Sequence, residues 1–200
     1  MQHKLITSLF LLLAVSAAAQ DRTAEPNPEF KVKVNTMLVD VVSKNGNLLL
    51  SIPLKGDGTP DPTELRIVKE IGHWMQINGE SIYDTRPWVI YGEGPTAENK
   101  NPIQAQGFNE GRLKYTAADI RFNKKGDKVL YVTLMGIPEE DIVVKALGSK
   151  TAQNTRKIKS VTLLGSEESV SWNQSKETLT IAKPAEAPSP EALVYKVVFT

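Results

Sequence analysis

The sequence predicts a mainly β protein, with a C-terminal antiparallel β-sandwich preceded by a shorter α/β-type piece. Three observations carry this. From Trp88 onward, short apolar runs alternate with turn residues at spacings of about 8–12 residues, the pattern of antiparallel sandwiches and barrels. Between Lys31 and Arg86 the pattern is instead one nearly continuous apolar run followed by one well-capped helix. There is no cysteine among the 200 residues, so the fold must rest on packing rather than on disulfides or Cys-based zinc.

The chain opens on a segment with the marks of a cleaved export signal. Met1–Gln20 has a polar start (Gln2, His3, Lys4), an apolar run from Leu5 to Val15, and Ala17-Ala18-Ala19 before Gln20. The run is shorter than the roughly 20 apolar residues a spanning helix needs. Residues 1–20 are therefore expected to be a signal peptide. The mature chain would be exported, periplasmic or extracellular, with no membrane anchor after cleavage. Residues 21–35, which include Pro26 and Pro28, read as a flexible linker.

Residues 36–86 come next. Thr36–Ser43 is a short apolar segment ending in Lys44-Asn45-Gly46. Asn47–Pro53 is nearly all apolar and bounded by glycines, which suits a strand buried on both faces. Gly56-Asp57-Gly58-Thr59-Pro60-Asp61 reads as a strand-to-helix turn. The helix then starts with Asp61 as N-cap, Pro62 at its first position and Glu64 at capping-box spacing. Leu65, Val68, Ile71 and Met75, joined by Ile67 and Trp74, make its apolar stripe. Asn78-Gly79 supplies a left-handed stop. His73 falls on the polar face as a solvated side chain.

Residues 87–200 carry the sandwich. Asp119–Phe122 and Lys128–Leu134 flank a hairpin turn at Asn123–Gly126. Ile142–Leu147, Ile158–Leu164, Val170–Trp172 and Thr178–Ile181 follow as short strands. Ala192–Phe199 is the last, with Leu193, Tyr195, Val197 and Phe199 on one face and Lys196 on the other.

Composition excludes several function classes. Without Lys4 the chain has 23 basic and 23 acidic residues, so neither nucleic acid nor an anionic membrane is an expected partner. His73 is the one histidine outside the export segment, which removes multi-His metal sites and most Ser-His arrangements. No cofactor or metal is expected. Glu139-Glu140-Asp141 and Glu167-Glu168 read as solvated turn charges. Asn173-Gln174-Ser175 matches a glycosylation sequon. Trp88 and Trp172 are the candidate glycan-stacking residues, whereas Trp74 belongs to the helix core.

One resemblance adds to this reading. The block Leu38-Val39-Asp40-Val41-Val42-Ser43-Lys44-Asn45-Gly46-Asn47-Leu48-Leu49-Leu50 resembles a late barrel segment of the α-L-fucosidases, glycoside hydrolase family 29. The similarity continues through Trp74-Met75, Asn78–Tyr83, Thr85-Arg86-Pro87-Trp88 and Tyr91-Gly92-Glu93-Gly94-Pro95. It resumes at Asp119-Ile120-Arg121-Phe122, Lys125-Gly126-Asp127 and Ser160–Gly165. Ser51 departs from it, where many members carry asparagine.

The resemblance implies that residues 36–86 are a short βα remnant of a (β/α)8-like barrel, its last strand and helix, and that 87–200 are the appended sandwich. The family's enzymes are retaining exo-hydrolases of terminal α-L-fucose, which need two carboxylates about 5–5.5 Å apart. In the family those carboxylates, and the fucose-binding histidines, precede the block at Leu38. No position here matches the nucleophile motif, so no catalytic residue is expected. A fucosidase-like chain inactive by itself is the leading reading. The alternatives are a non-catalytic carbohydrate-binding or accessory module whose partner is a fucosylated glycan, and one half of a split fucosidase completed by a separate barrel-bearing chain.

Overall fold

The computed structural model describes residues 28–98 and 114–200, so the expected signal peptide lies outside the described residues. Among the described residues, eight strands form two antiparallel sheets. The larger has the order β1 (Arg86–Glu93), β2 (Ile120–Lys125), β3 (Val129–Leu134), β8 (Leu193–Phe199), β5 (Ile158–Leu163). The smaller has the order β4 (Ile142–Val144), β7 (Leu179–Ile181), β6 (Trp172–Gln174). Two long helices, α1 (Pro28–Ser43) and α2 (Pro62–Asn78), pack on the outer face of the larger sheet, and a short α3 (Pro95–Glu98) follows β1.

The larger sheet is therefore buried on both faces, and period-two alternation assigns the side chains. On β8, Leu193, Tyr195, Val197 and Phe199 point toward the smaller sheet. There they join Phe122, Val132, Leu147, Leu179 and Ile181 in the main core. Val194 points the other way and meets Tyr131, Met135, Val39 and Trp74 beneath the helices. Burial of apolar area at about 25 cal/mol per Å² drives both interfaces. Lys196 lies on the helical side, where its Nζ reaches Glu80 at 3.0 Å.

The expected hairpin forms, but its turn lies at residues 126–128 rather than Asn123–Gly126: β2 runs on to Lys125 and pairs with β3 from Ile120 opposite Leu134 to Lys125 opposite Val129, and Gly126 takes φ +60 in the turn. Asp61 caps α2, its Oδ1 accepting from the Thr63 amide at 2.9 Å, with Pro62 in the first turn. The Gly56–Asp61 stretch is a turn in which Asp57 accepts from both the amide and the hydroxyl of Thr59.

Several expectations are corrected. Asn47–Pro53 is not a strand. It runs without regular structure, and Leu49 is 95% exposed. A doubly buried strand needs neighbours for its backbone groups and both its faces. Among the described residues no strand pairs with this run, and the isolated Leu54–Pro60 bridge lies just past it. The remnant of the barrel pattern is thus helical: α1 replaces the flexible linker from Pro28 onward and takes in Thr36–Ser43.

Helix α1 is rich in β-branched residues and poor in intrinsic propensity, so tertiary burial of Val34 and Val39 decides its state. It ends at Ser43, and the chain turns away through Asn45, φ +64, with the Gly46 amide donating back to Val41 O at 2.8 Å.

Helix α2 turns its buried face through Ile67, Trp74 and Asn78. Leu65 and Val68, placed in the stripe from sequence, are more than a third exposed. Gly79 is not a left-handed stop: its φ is −59, and the chain continues into a 3-10 turn at Gly79–Ser81. A Cβ there would sit 3.0 Å from the exposed Tyr83 ring, which would have to shift slightly to admit it. The expected strand Ile142–Leu147 stops at Val144 and becomes a 3-10 turn, while Val170–Trp172 shifts to Trp172–Gln174.

Candidate functional site: the Arg121 clasp and the Trp88 groove

Strand β2 alternates Ile120 and Phe122 into the main core, which sends Arg121 to the helical side, where it is 1% exposed. A buried guanidinium must be fully bonded to be tolerated. Its Nε donates to Asp40 Oδ1 at 2.7 Å, its Nη1 to Ile120 O at 3.0 Å and its Nη2 to Thr96 Oγ1 at 2.8 Å. The rings of Tyr91 and Tyr115 each stand 5.4 Å from its Cζ, within cation–π range. The second oxygen of Asp40 takes Lys44 Nζ at 2.7 Å, and that ammonium also lies over Tyr91.

Asp119 extends the network. Its Oδ1 accepts from the amide and hydroxyl of Thr96, and its Oδ2 accepts from the amide and hydroxyl of Thr116. The Tyr115 phenol is pushed up to about 12 by burial first and by the Asp40 charge second.

The glycines of Tyr91-Gly92-Glu93-Gly94-Pro95 make this packing possible. A Cβ on Gly92 would come 2.3 Å from Ile120 O, and one on Gly94, which has φ +103, would come 2.1 Å from Ala118 O. Between them, Glu93 accepts at both carboxylate oxygens, from the Lys145 amide at 2.8 Å and the Ala146 amide at 2.9 Å. It thereby ties the end of β1 to the turn after β4. Burial raises its carboxyl above the usual range, although the two amides and the Lys145 charge oppose the shift. A cavity of about 890 Å³ opens beside it, rimmed by Glu98, Tyr115, Ile137, Glu140 and Lys145.

All three guanidinium nitrogens and both oxygens of Asp40 and Glu93 are thus committed within the protein. What this arrangement does chemically is lock the helices to the sheets. Sequence reasoning quoted Asp40 and Arg121 in separate blocks and gave neither a role. The signal was there: an arginine between two apolar residues of a strand buried on both faces.

The candidate stacking residues sit apart from the clasp. Trp88 is half-buried and packs edge-on against Phe122, with centroids 5.2 Å apart and planes at 66°. It opens on a groove of about 350 Å³ shared with Lys124, Asp127, Gln153, Arg156 and Phe199. Trp172 is also half-buried against the main core but does not line that groove. Trp74 is core, and its Nε1 donates to Ala192 O at 3.1 Å. His73 is exposed. Among the described residues no group of three or more His, Cys, Asp or Glu could hold a metal ion, and no helix is long and apolar enough to cross a membrane.

Fold and clasp together define a class: an antiparallel β-sandwich whose larger sheet is covered by a helical pair and locked to it through one buried arginine. Within that class the chain is the C-terminal portion of an α-L-fucosidase-type protein. The family model described as Alpha-L-fucosidase matches residues 25–80, and the one described as Alpha-L-fucosidase C-terminal domain matches residues 113–199. The tissue alpha-L-fucosidase of Mus musculus is 32% identical over 137 residues, which make up 68% of this chain and 24% of that protein.

Among solved structures, the Thermotoga maritima alpha-fucosidase is 28% identical with a TM-score of 0.57, over 84% of this chain and 34% of its own. Isoenzyme 1 from Paenibacillus thiaminolyticus shares the fold at a TM-score of 0.62 and 23% identity, over 85% of this chain and 34% of its own. The chain therefore spans about a quarter to a third of the length of these relatives.

Proposed function

We propose that this chain is an exported, fucosidase-like protein that does not hydrolyse fucosides by itself. The observation that carries the reading is the fate of its carboxylates. Retaining hydrolysis needs a nucleophile and an acid/base facing each other across a sugar. Glu93, whose carboxyl burial raises, spends both oxygens on backbone amides, and Asp40 spends both on Arg121 and Lys44. No residue corresponds to the family's nucleophile motif. The test is incubation of the purified chain with an aryl α-L-fucoside. No release above a no-protein control is expected, and clear turnover overturns the reading. Export is checked by expressing the full chain and sequencing the N-terminus of the mature protein, expected near Gln20 or Asp21.

A second reading is favoured by one specific feature. Leu49, Leu54, Leu65 and Val68 expose apolar side chains on the 47–60 segment and the first turns of α2. Exposed apolar surface of this kind fits an interface with another polypeptide. The partner we propose is a separate barrel-bearing fucosidase chain, which would make this one half of a split enzyme. Co-expression with such a chain is expected to yield a co-purifying, active complex that Leu49→Asp with Leu65→Asp disrupts. Absence of any complex overturns it.

A further inference from the structure

The groove beside Trp88 has the chemistry of a sugar site. Its aromatic surface is Trp88, held in place by its edge-on contact with Phe122, while the buried Phe199 ring beside it carries the Arg156 guanidinium at 4.6 Å. Its rim is polar and solvated: Lys124, Asp127 and Gln153 are at least partly exposed. Arg156 is anchored through Nη1 to the Asp127 carbonyl. The Lys124–Asp127 contact, at 3.7 Å between exposed groups, is weak and free to rearrange.

The strand carrying Trp88 adds a further element. Pairing of β1 with β2 holds at Arg86 and Pro87 and resumes only at Gly92, so residues 88–91 bulge at the sheet edge. Val89 there is 68% exposed. Such bulges re-aim side chains at sheet rims. The volume, about 350 Å³, falls at the small end of the ~300–1,000 Å³ typical of small-molecule sites.

A pyranose ring presents an apolar C–H face and an equatorial belt of hydroxyls. The first fits a fixed aromatic surface, and the second fits a rim of amide, ammonium and guanidinium donors. Two cations, Lys124 and Arg156, face one acid, Asp127, so the rim carries excess positive charge. We propose that this groove binds a single pyranose residue of a glycan without cleaving it, and prefers one bearing a carboxylate. The site is separate from the Arg121 clasp and stands whether or not the chain hydrolyses fucosides.

The test is titration of the full chain with a galacturonic acid trimer and with maltotriose, read by tryptophan fluorescence and calorimetry. Binding of the acidic trimer is expected, tighter than maltotriose and weakened by added salt. Trp88→Ala should weaken it by roughly tenfold or more, as loss of a central aromatic anchor does. Because Trp88 also packs on the core, near-UV circular dichroism must show that variant folded. Lys124→Gln and Gln153→Ala, at exposed positions, weaken binding with the fold untouched. The proposal is overturned if neither trimer binds, if maltotriose binds as well as the acidic trimer, or if Lys124→Gln and Gln153→Ala bind at the parent affinity.

Discussion

Arg121 Nε donates to Asp40 Oδ1 at 2.7 Å across 81 residues of sequence, and this contact joins the helical layer to the sheet. Both groups are desolvated, the guanidinium almost wholly, so neither can lose its partner cheaply. Removing one member of a buried pair costs about 3–5 kcal/mol, whereas replacing both by apolar groups is often near neutral. Arg121→Met and Asp40→Leu are each expected to destabilise by about that amount in denaturant unfolding. The double variant should recover most of the loss, and additive losses would contradict the clasp.

Tyr195 presents the opposite case. Its hydroxyl is buried in the main core with no hydrogen-bond partner among the described residues, and burial pushes its ionisation up to about 12. Deleting an unpaired buried hydroxyl while keeping the ring removes a desolvation penalty of about 1–3 kcal/mol. Tyr195→Phe should therefore leave the midpoint of unfolding unchanged or raise it. A clear loss of stability would reveal a partner for the hydroxyl.

Gly94 and Gly56 should respond in opposite directions to alanine. A Cβ at Gly94 meets Ala118 O at 2.1 Å and sits at positive φ, so Gly94→Ala should cost at least about 1–3 kcal/mol. Nothing lies within 4 Å of the corresponding atom at Gly56. Gly56→Ala should be neutral or stabilising by up to about 1 kcal/mol, because it restricts the unfolded chain. Paired thermal melts measure the contrast.

Glu93 sets a pH dependence with a definite sign. Its folded-state carboxyl ionises above the ordinary 4.5, with burial the leading cause. Between 4.5 and that raised value the folded chain holds more protons than the unfolded chain. The stability this group contributes is thus fully present below about pH 4.5 and is lost as pH rises through the raised value. Glu93→Gln should flatten that part of the stability profile, as followed by unfolding midpoints across mildly acidic pH. An unchanged slope would show that Glu93 is not its source.

Leu49 and Leu65 test the exposed apolar segment directly. Leu49→Ser should change stability by no more than about 0.5 kcal/mol, as substitutions at exposed positions do. Combined with Leu65→Ser it should lower self-association in light scattering at high concentration. A cooperative loss of stability would mean that Leu49 is packed after all.

Much of the sandwich was legible because its signals are local. Gly126 in its turn, the alternation along Leu193–Phe199 and the Asp61 cap each depend on a few neighbouring residues, and all three hold. The misreadings share one cause. A run such as Asn47–Pro53 says that a strand is possible, but only partner strands make it one, and no propensity encodes their presence. The α2 stripe of Leu65, Val68, Ile71 and Met75 with Ile67 and Trp74 holds at Ile67 and Trp74, but the bond from Trp74 to Ala192 turns the helix so that Asn78 is buried and Leu65 and Val68 stay more than a third exposed. Arg121 is harder to read: arginine usually marks a solvated position, and although its place between Ile120 and Phe122 hints at burial, the partners that satisfy it, Asp40 and Thr96, lie 81 and 25 residues away.

The position of β8 has a consequence for how the molecule is assembled. It lies in the interior of the larger sheet, between β3 and β5, and contributes to the apolar clusters on both faces. A chain emerging from the ribosome makes β3 and β5 long before it makes Leu193–Phe199. Until then both strands present open edges and the helices have an incomplete surface to settle on. The larger sheet is thus completed only when β8 joins β3 to β5. A chain truncated before Leu193 should remain protease-sensitive throughout, whereas one that includes Leu193–Phe199 should show both layers protected together.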